Sequence, residues 1–66
     1  MPLKRLGLKL QRLRQARKLS RSALAKQAGI TGTYVAKLER GGSDPTIGVL
    51  KRLAEALGVL VTTLLE

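Results

Sequence analysis

The sequence predicts an all-α fold, a compact five-helix bundle formed by a single domain of residues 1–66. Apolar residues recur at helical spacing in successive segments, and no segment alternates with the period of two that strands show. Capping residues precede these segments and glycines follow them, as at the ends of helices. The apolar residues are almost all Leu, Ala, Val and Ile, with Tyr34 as the only aromatic residue, which suits a small core of packed helices.

The first predicted helix carries a stripe of leucines at helical spacing, formed by Leu6, Leu10 and Leu13. Leu8 lies off this stripe. Gly7 lies within the helix, where glycine costs about 1 kcal/mol relative to alanine, so we expect an irregular first turn. The helix should end near Arg17 and Lys18, because cations are favoured at a helix C-terminus.

Two short helices joined by a glycine turn are predicted at about residues 20–39. Ser20 is a good N-cap for the first of them, which runs to about Ala28, and Gly29 can end it in a left-handed conformation. Thr31 is placed to cap the second, which ends at Glu39. Helices joined so closely cross steeply and need a small residue at their contact. The expected inward residues are Ala25, Leu24, Ile30, Val35 and Leu38, and the expected outward ones are Gly32, Thr33, Ala36 and Lys37.

A fourth helix follows the predicted loop of residues 41–45. Thr46 can cap it and Gly58 can end it. Its expected apolar stripe consists of Ile47, Leu50, Leu53, Ala54 and Leu57. A short last helix is expected at about residues 62–65.

The distribution of charge indicates a polyanionic partner. The formal net charge is +9, and no acidic residue precedes Glu39, whereas Lys and Arg are spread along the whole of that segment. Such self-repulsion is expected in a domain that binds a polyanion. The alternative interpretation is a surface that serves solubility alone.

The residue inventory argues against an enzyme, a metal site and a cofactor. The chain has no Cys and no His, its four acidic residues show no paired spacing, and its serines have no base to activate them. No apolar run approaches the ~20 residues of a membrane span, and charges interrupt any signal-peptide pattern, so we expect a cytoplasmic location. A second hypothesis is an interaction or membrane-surface module built on the basic helix of residues 3–18, although it lacks the Trp or Phe of interfacial anchors.

Several motifs together resemble a known family. They are LGLKLQRLRQARKLS, ALAKQAGITGTYVAKLERG, DPTIGVLKRLAEALGV and a closing TLL, which span residues 6–65. The chain resembles the phage repressor and Cro type of helix-turn-helix domain, the XRE-like regulators. The resemblance implies a bundle of the lambda-repressor-like DNA-binding type in a bacterial or phage-encoded, nucleoid-associated protein. It also implies a sequence-specific, repressor-like transcriptional regulator that binds double-stranded DNA, with a recognition helix at about residues 31–39 in the major groove.

The resemblance assigns DNA contacts residue by residue. Base-edge positions are Gly32, Thr33 and Lys37, and phosphate positions are Arg21, Thr31, Tyr34, Arg40 and Ser43. Glycine offers only backbone, so Gly32 either approaches a base or forms a turn without any contact. Thr33 could meet a thymine methyl group or form one hydrogen bond, and Lys37 could bind guanine or a phosphate.

One ion pair is expected on physical grounds as well. Glu39 ends the recognition helix, where its negative charge opposes the helix dipole, so a cation should offset it. Arg14 is the candidate, and the resemblance implies a partly buried structural bridge between Arg14 and Glu39. The alternative is two unrelated surface charges.

The C-terminal segment departs from the family pattern. Thr62 could replace the usual Ser as the cap of the last helix, which leaves Leu60 and Val61 without an evident place. Either one of them closes the bottom of the bundle, or they form a dimer contact. The resemblance implies a homodimer, formed through this region, on a palindromic operator. We expect no effector pocket and no sensing domain; repressor, activator, restriction–modification controller, antitoxin-type autoregulator and fragment of a longer regulator all remain open.

Overall fold

The computed structural model describes residues 2–66, which form five helices and no strand. In chain order the helices are α1 (Leu3–Ala16), α2 (Arg21–Ala28), α3 (Gly32–Glu39), α4 (Ile47–Leu57) and α5 (Val61–Leu65). Helix α2 packs against α3 and α4, while α1 packs against α3 and α5. The predicted all-α, five-helix fold is confirmed. Within residues 2–66 no helix combines the length and apolarity needed to cross a membrane.

The predicted helix ends follow from local capping. The side chains of Ser20, Thr31 and Thr46 each accept a hydrogen bond, 2.9–3.1 Å long, from the backbone N–H three residues on. Gly29 and Gly58 follow α2 and α4 in the left-handed region, at φ 71° and 68°. Both φ values are ones that residues with a Cβ avoid. These five predictions are confirmed.

One buried cluster joins all five helices. Its larger members are Leu6, Leu10, Leu24, Val35, Leu38, Val49, Leu50, Leu53, Leu57 and Leu64, and its small members are Ala25, Ala28 and Ala54. Leucine and alanine side chains of this kind fill the space between short packed helices without aromatic rings. The only aromatic residue, Tyr34, packs at the margin of the cluster.

The expectation of an irregular first turn at Gly7 is wrong. Helix α1 is regular from Leu3, and Gly7 is buried within it. A Cβ built on Gly7 would lie 2.5 Å from the carbonyl oxygen of Glu39 and would also overlap the carbonyl oxygen of Leu38. Glycine therefore lets the backbone of α1 approach the C-terminal end of α3.

The predicted inward position of Ile47 is also wrong. Its side chain is 62% exposed, whereas Val49 is buried in the core. Ile47 is the first residue of α4, directly after the cap Thr46, and it lies at the edge of the buried stripe. At about 100° of rotation per residue, Ile47 points about 90° away from the centre of the buried stripe of α4, and its side chain therefore stays outside the cluster.

The start of the last helix differs from the prediction. Helix α5 begins at Val61 with Leu60 at the N-cap position, and no side chain caps it, so the assignment of Thr62 as the cap is wrong. Val61 packs against the core. This agrees with the first of the two alternatives, in which one of the two residues closes the bottom of the bundle. Leu60 remains 72% exposed.

Candidate nucleic-acid interface

Helices α2 and α3 form a helix-turn-helix around Gly29. The backbone N–H of Ile30 donates to the carbonyl oxygen of Ala25 at 2.9 Å, which closes the turn after α2. The side chain of Ile30 is partly buried against the core. Ala25 is buried, as expected for a small residue where short helices cross. The turn is therefore fixed both by backbone hydrogen bonding and by an apolar anchor.

The outer face of α3 carries two of the predicted base-contacting residues. Thr33 and Lys37 are both exposed, while Val35 and Leu38 are buried on the other side of the helix. Residues four apart lie on one face of a helix, so Thr33 and Lys37 share a surface. Neither side chain is needed for the core, and both are available to a ligand.

The side chain of Lys37 runs along the loop that follows α3. A Cβ built on Gly42 would lie 3.3 Å from Cγ of Lys37, so the aliphatic part of Lys37 passes close to Gly42. The N–H of Gly42 also donates to the carbonyl oxygen of Lys37 at 2.9 Å. These contacts place the lysine at the junction of α3 and the loop.

Gly32, the third predicted base-contacting residue, begins α3 beside the start of α2. It is partly buried, and a Cβ built on it would lie 3.7 Å from Cα of Ser22, which is ordinary van der Waals contact. The site therefore has room for a side chain. Packing does not require glycine at position 32. The lack of a side chain there leaves only backbone groups to contact a ligand.

The residues predicted to contact phosphate differ in exposure. Thr31, Arg21 and Arg40 are exposed, whereas Tyr34 and Ser43 are partly buried. The hydroxyl oxygen of Thr31 accepts a hydrogen bond from the N–H of Tyr34 and keeps its own O–H as a donor. A phosphate oxygen is an acceptor that this O–H could bind.

Arg14 and Glu39 form the expected ion pair. Nε of Arg14 donates to Oε2 of Glu39 at 2.6 Å, and Nη2 donates to Oε1 at 3.2 Å. The third nitrogen, Nη1, donates to the carbonyl oxygen of Leu19 at 2.9 Å. The exposed side-chain fractions are 9% for Arg14 and 3% for Glu39. The pair therefore ties α1 to the end of α3 and to the segment before α2.

A second arginine, which sequence reasoning did not connect to this pair, also binds Glu39. Nε of Arg21 donates to Oε1 of Glu39 at 2.9 Å. Arg21 was predicted only as a phosphate contact. Its pairing depends on how α2 crosses α3, and the local sequence carries no signal of that geometry.

The chemistry at this surface is that of a cationic binding face. In the described part of the chain, no three His, Cys, Asp or Glu side chains are grouped so that they could hold a metal ion. Lys37 and Arg40 are exposed at the end of α3 and directly after it, and Glu39, the acid at the end of the helix, is paired with Arg14 and Arg21. Such a face is suited to the anionic backbone and the acceptor-rich base edges of nucleic acid.

Comparisons with known proteins agree with this geometry. Residues 10–64 match the family described as HTH_3, helix-turn-helix. The immunity repressor protein of Bacillus phage phi105 is 33% identical over 58 residues, which are 88% of this chain and 40% of that protein. This chain thus spans less than half the length of that relative.

Solved structures share the fold. The restriction–modification controller protein C.AhdI from Aeromonas hydrophila superposes with a TM-score of 0.92 at 34% identity, covering 94% of each chain. SinR, a master regulator for biofilm formation solved in complex with DNA, superposes with a TM-score of 0.88 at 32% identity, covering 92% of this chain and 98% of the solved chain. With the turn at Gly29 and the match over residues 10–64, the chain belongs to the HTH_3 helix-turn-helix family.

Proposed function

We propose that this chain is a sequence-specific, double-stranded-DNA-binding transcriptional regulator of the repressor type. The observation that carries the proposal is the joint exposure of Thr33 and Lys37 on the outer face of α3, within a helix-turn-helix of this family. SinR, which superposes on most of this chain, was solved in complex with DNA. In the proposed complex, α3 lies in the major groove and α2 crosses the backbone.

Lys37 and Thr33 read base edges in this proposal. The ammonium of Lys37 donates to O6 or N7 of guanine, and the methyl group of Thr33 contacts the methyl group of thymine. Gly32 contributes only its backbone at the start of α3. With a single long polar side chain among these three, each half-site is read with modest discrimination.

Phosphate contacts supply most of the affinity. In this proposal, five residues contact the backbone on either side of the groove: Arg21, Thr31, Tyr34, Arg40 and Ser43. Neutralised phosphates release condensed counterions, so binding is favourable on any sequence and becomes weaker with added salt. Occupancy of an operator is then sufficient for repression, which takes place in the cytoplasm on nucleoid DNA.

A homodimer on a palindromic operator completes the proposal. Leu60 is a large apolar residue that the bundle leaves exposed, and Val61 lies beside it, partly buried. A two-fold contact through this C-terminal region would cover Leu60 and present two copies of α3 to half-sites one helical turn apart.

The test is selection of bound duplexes from a random DNA pool, followed by affinity measurements on the recovered duplex and on a scrambled one. Lys37→Ala should weaken binding to the selected duplex by about tenfold or more, the value of a lost base contact, and reduce its advantage over the scrambled duplex. The matched control is Lys51→Ala, which removes the same charge from the exposed side of α4.

The two variants separate base reading from general charge. Lys51→Ala should weaken binding to both duplexes to a similar small extent. If the pool yields no shared motif, or if Lys37→Ala lowers affinity for both duplexes equally, Lys37 does not read bases. Absence of any duplex binding would refute the proposed function itself.

A further inference from the structure

The buried carboxylate of Glu39 holds two arginines in different ways. Arg14 uses all of its guanidinium nitrogens on Glu39 and on the carbonyl oxygen of Leu19. Its side chain is only 9% exposed, and each of its three guanidinium nitrogens already donates one hydrogen bond within the protein. Its role is confined to joining α1 to the end of α3.

Arg21 is bound through one nitrogen only. Its Nε donates to Oε1 of Glu39, and no other hydrogen bond of its side chain occurs within residues 2–66. The side chain is 50% exposed. A planar guanidinium that donates through Nε alone keeps the N–H groups of Nη1 and Nη2 as donors at its end.

We propose that Glu39 is a positioning residue for DNA binding, because it holds the guanidinium of Arg21 so that Nη1 and Nη2 donate to a backbone phosphate. This inference rests on the proposed function and identifies the carboxylate of Glu39 as the group that orients Arg21 for its phosphate contact. Arg21 is then a phosphate ligand that is ordered before DNA arrives, and not simply a mobile surface cation.

The charges of the cluster allow this arrangement. Glu39 contributes one negative charge and the two arginines contribute two positive charges, so the cluster keeps a net charge of about +1 toward the phosphate. Arg14 lies on both carboxylate oxygens and offsets most of the negative field that the phosphate would otherwise meet. An ion pair that restricts an arginine before binding also lowers the entropy lost when the complex forms.

Arginine is required in this arrangement, and lysine cannot replace it. A lysine at position 21 keeps the positive charge but presents one ammonium group, which cannot bind Glu39 along one edge and a phosphate along the other. If the charge of Arg21 alone mattered, lysine would serve equally well. If Arg21 only stabilised Glu39, changes at position 21 would alter folding stability and leave DNA affinity as it is.

The experiment compares wild type, Arg21→Lys and Arg21→Ala on one random-sequence duplex over a range of salt concentrations, with urea unfolding measured in parallel. Arg21→Lys should bind about three- to tenfold more weakly than wild type, the usual effect of losing one preorganised side chain. It should keep the wild-type salt slope. Arg21→Ala should lose affinity and lower the slope by about one phosphate contact.

The positioning step has its own readout in the free protein. The heteronuclear NOE of the Arg21 side-chain Nε–H should resemble that of the buried Arg14 and exceed that of the exposed Arg12. Glu39→Gln should return the value of Arg21 to that of Arg12 and shrink the effect of Arg21→Lys to below about twofold. Glu39→Gln also weakens the bond to Arg14, so circular dichroism must first show that this variant is folded. The NOE of the wild-type protein tests the proposal even if the variant does not fold.

Each outcome decides the proposal. Weak binding by Arg21→Lys together with a rigid Nε–H in the free wild type supports it. It is overturned if Arg21→Lys binds as wild type does, or if the Nε–H of Arg21 is as mobile as that of Arg12. If wild type binds no duplex, the proposed function fails, and this inference fails with it.

Discussion

At the residue scale, glycines of one sequence serve different physical purposes. Gly7 lies in a regular helix, and glycine is required there because carbonyl groups of α3 occupy the space that a Cβ would need. Gly48 also lies in a helix, but a Cβ built there would meet nothing closer than Oγ1 of Thr46 at 3.8 Å. The two positions cannot be distinguished by helix propensity, which treats both as mildly unfavourable.

Gly7→Ala and Gly48→Ala should therefore change stability in opposite directions. Gly7→Ala should lower the free energy of unfolding by about 1–3 kcal/mol, because backbone atoms of α3 cannot rotate away from the new methyl group. Gly48→Ala should raise the free energy of unfolding by about 0.5–1 kcal/mol, since it restricts the unfolded chain without a clash. Urea denaturation measures both, and a shift in the same direction for both variants would contradict the packing at Gly7.

At the element scale, side-chain caps decide where three of the helices begin. Ser20, Thr31 and Thr46 precede α2, α3 and α4, and each binds a backbone N–H that the helix itself cannot satisfy. Helix α5 begins without such a bond. The local sequence is informative where a hydroxyl group can cap, and it misplaced the start of α5, where packing of Val61 and Leu64 decides the boundary.

Thr46→Ala should destabilise the protein more than Thr62→Ala does. The Oγ1 of Thr46 accepts from the N–H of Val49 at 3.1 Å, and loss of an N-cap costs about 1 kcal/mol. Thr62 is exposed and caps no helix, so its replacement should change the free energy of unfolding by less than about 0.5 kcal/mol. Thermal and urea unfolding provide the comparison. Equal losses for the two variants would contradict a specific stabilising role of the hydrogen bond at Thr46.

At the scale of the whole molecule, a net charge of +9 on 66 residues should make the proposed association with DNA strongly dependent on salt. Glu39 is paired with two arginines, and Lys37 and Arg40 are exposed at the C-terminal end of α3 and directly after it. Electrostatic attraction of this kind is shared by all duplexes and sets the general affinity on which base reading acts.

The salt dependence of duplex binding should be steep. If about five phosphates are neutralised per chain, a plot of log K against log salt concentration should have a slope of about −4 to −5. Fluorescence anisotropy with a labelled duplex gives the slope. A value near zero would contradict an electrostatic origin of the affinity.

Leu60→Asp should convert the proposed dimer into a monomer without unfolding it. Leu60 is exposed, so an aspartate there can be hydrated in the monomer but would be buried without a partner in a two-fold contact. Sedimentation equilibrium measures the mass, and circular dichroism checks the fold. Leu8→Asp, at an exposed leucine on α1, is the matched control and should leave the mass unchanged. An identical mass for wild type and Leu60→Asp would reject the C-terminal contact.

The sequence by itself determined the features that depend on near neighbours in the chain. The caps at Ser20, Thr31 and Thr46, the left-handed glycines at positions 29 and 58, and the exposure of Thr33 and Lys37 all follow from hydrogen bonds or periodicity within one or two helical turns. The same local patterns were sufficient to indicate the family and the all-α fold.

Only the tertiary structure decided what depends on how the helices cross. It showed why Gly7 has no side chain, why Ile47 lies outside the core, which of Leu60 and Val61 closes the bundle, and that Arg21 shares Glu39 with Arg14. Each of these outcomes depends on atoms from segments distant in the chain that approach within a few ångströms. Such distances are set by the packing of the complete bundle, which no local pattern of residues encodes.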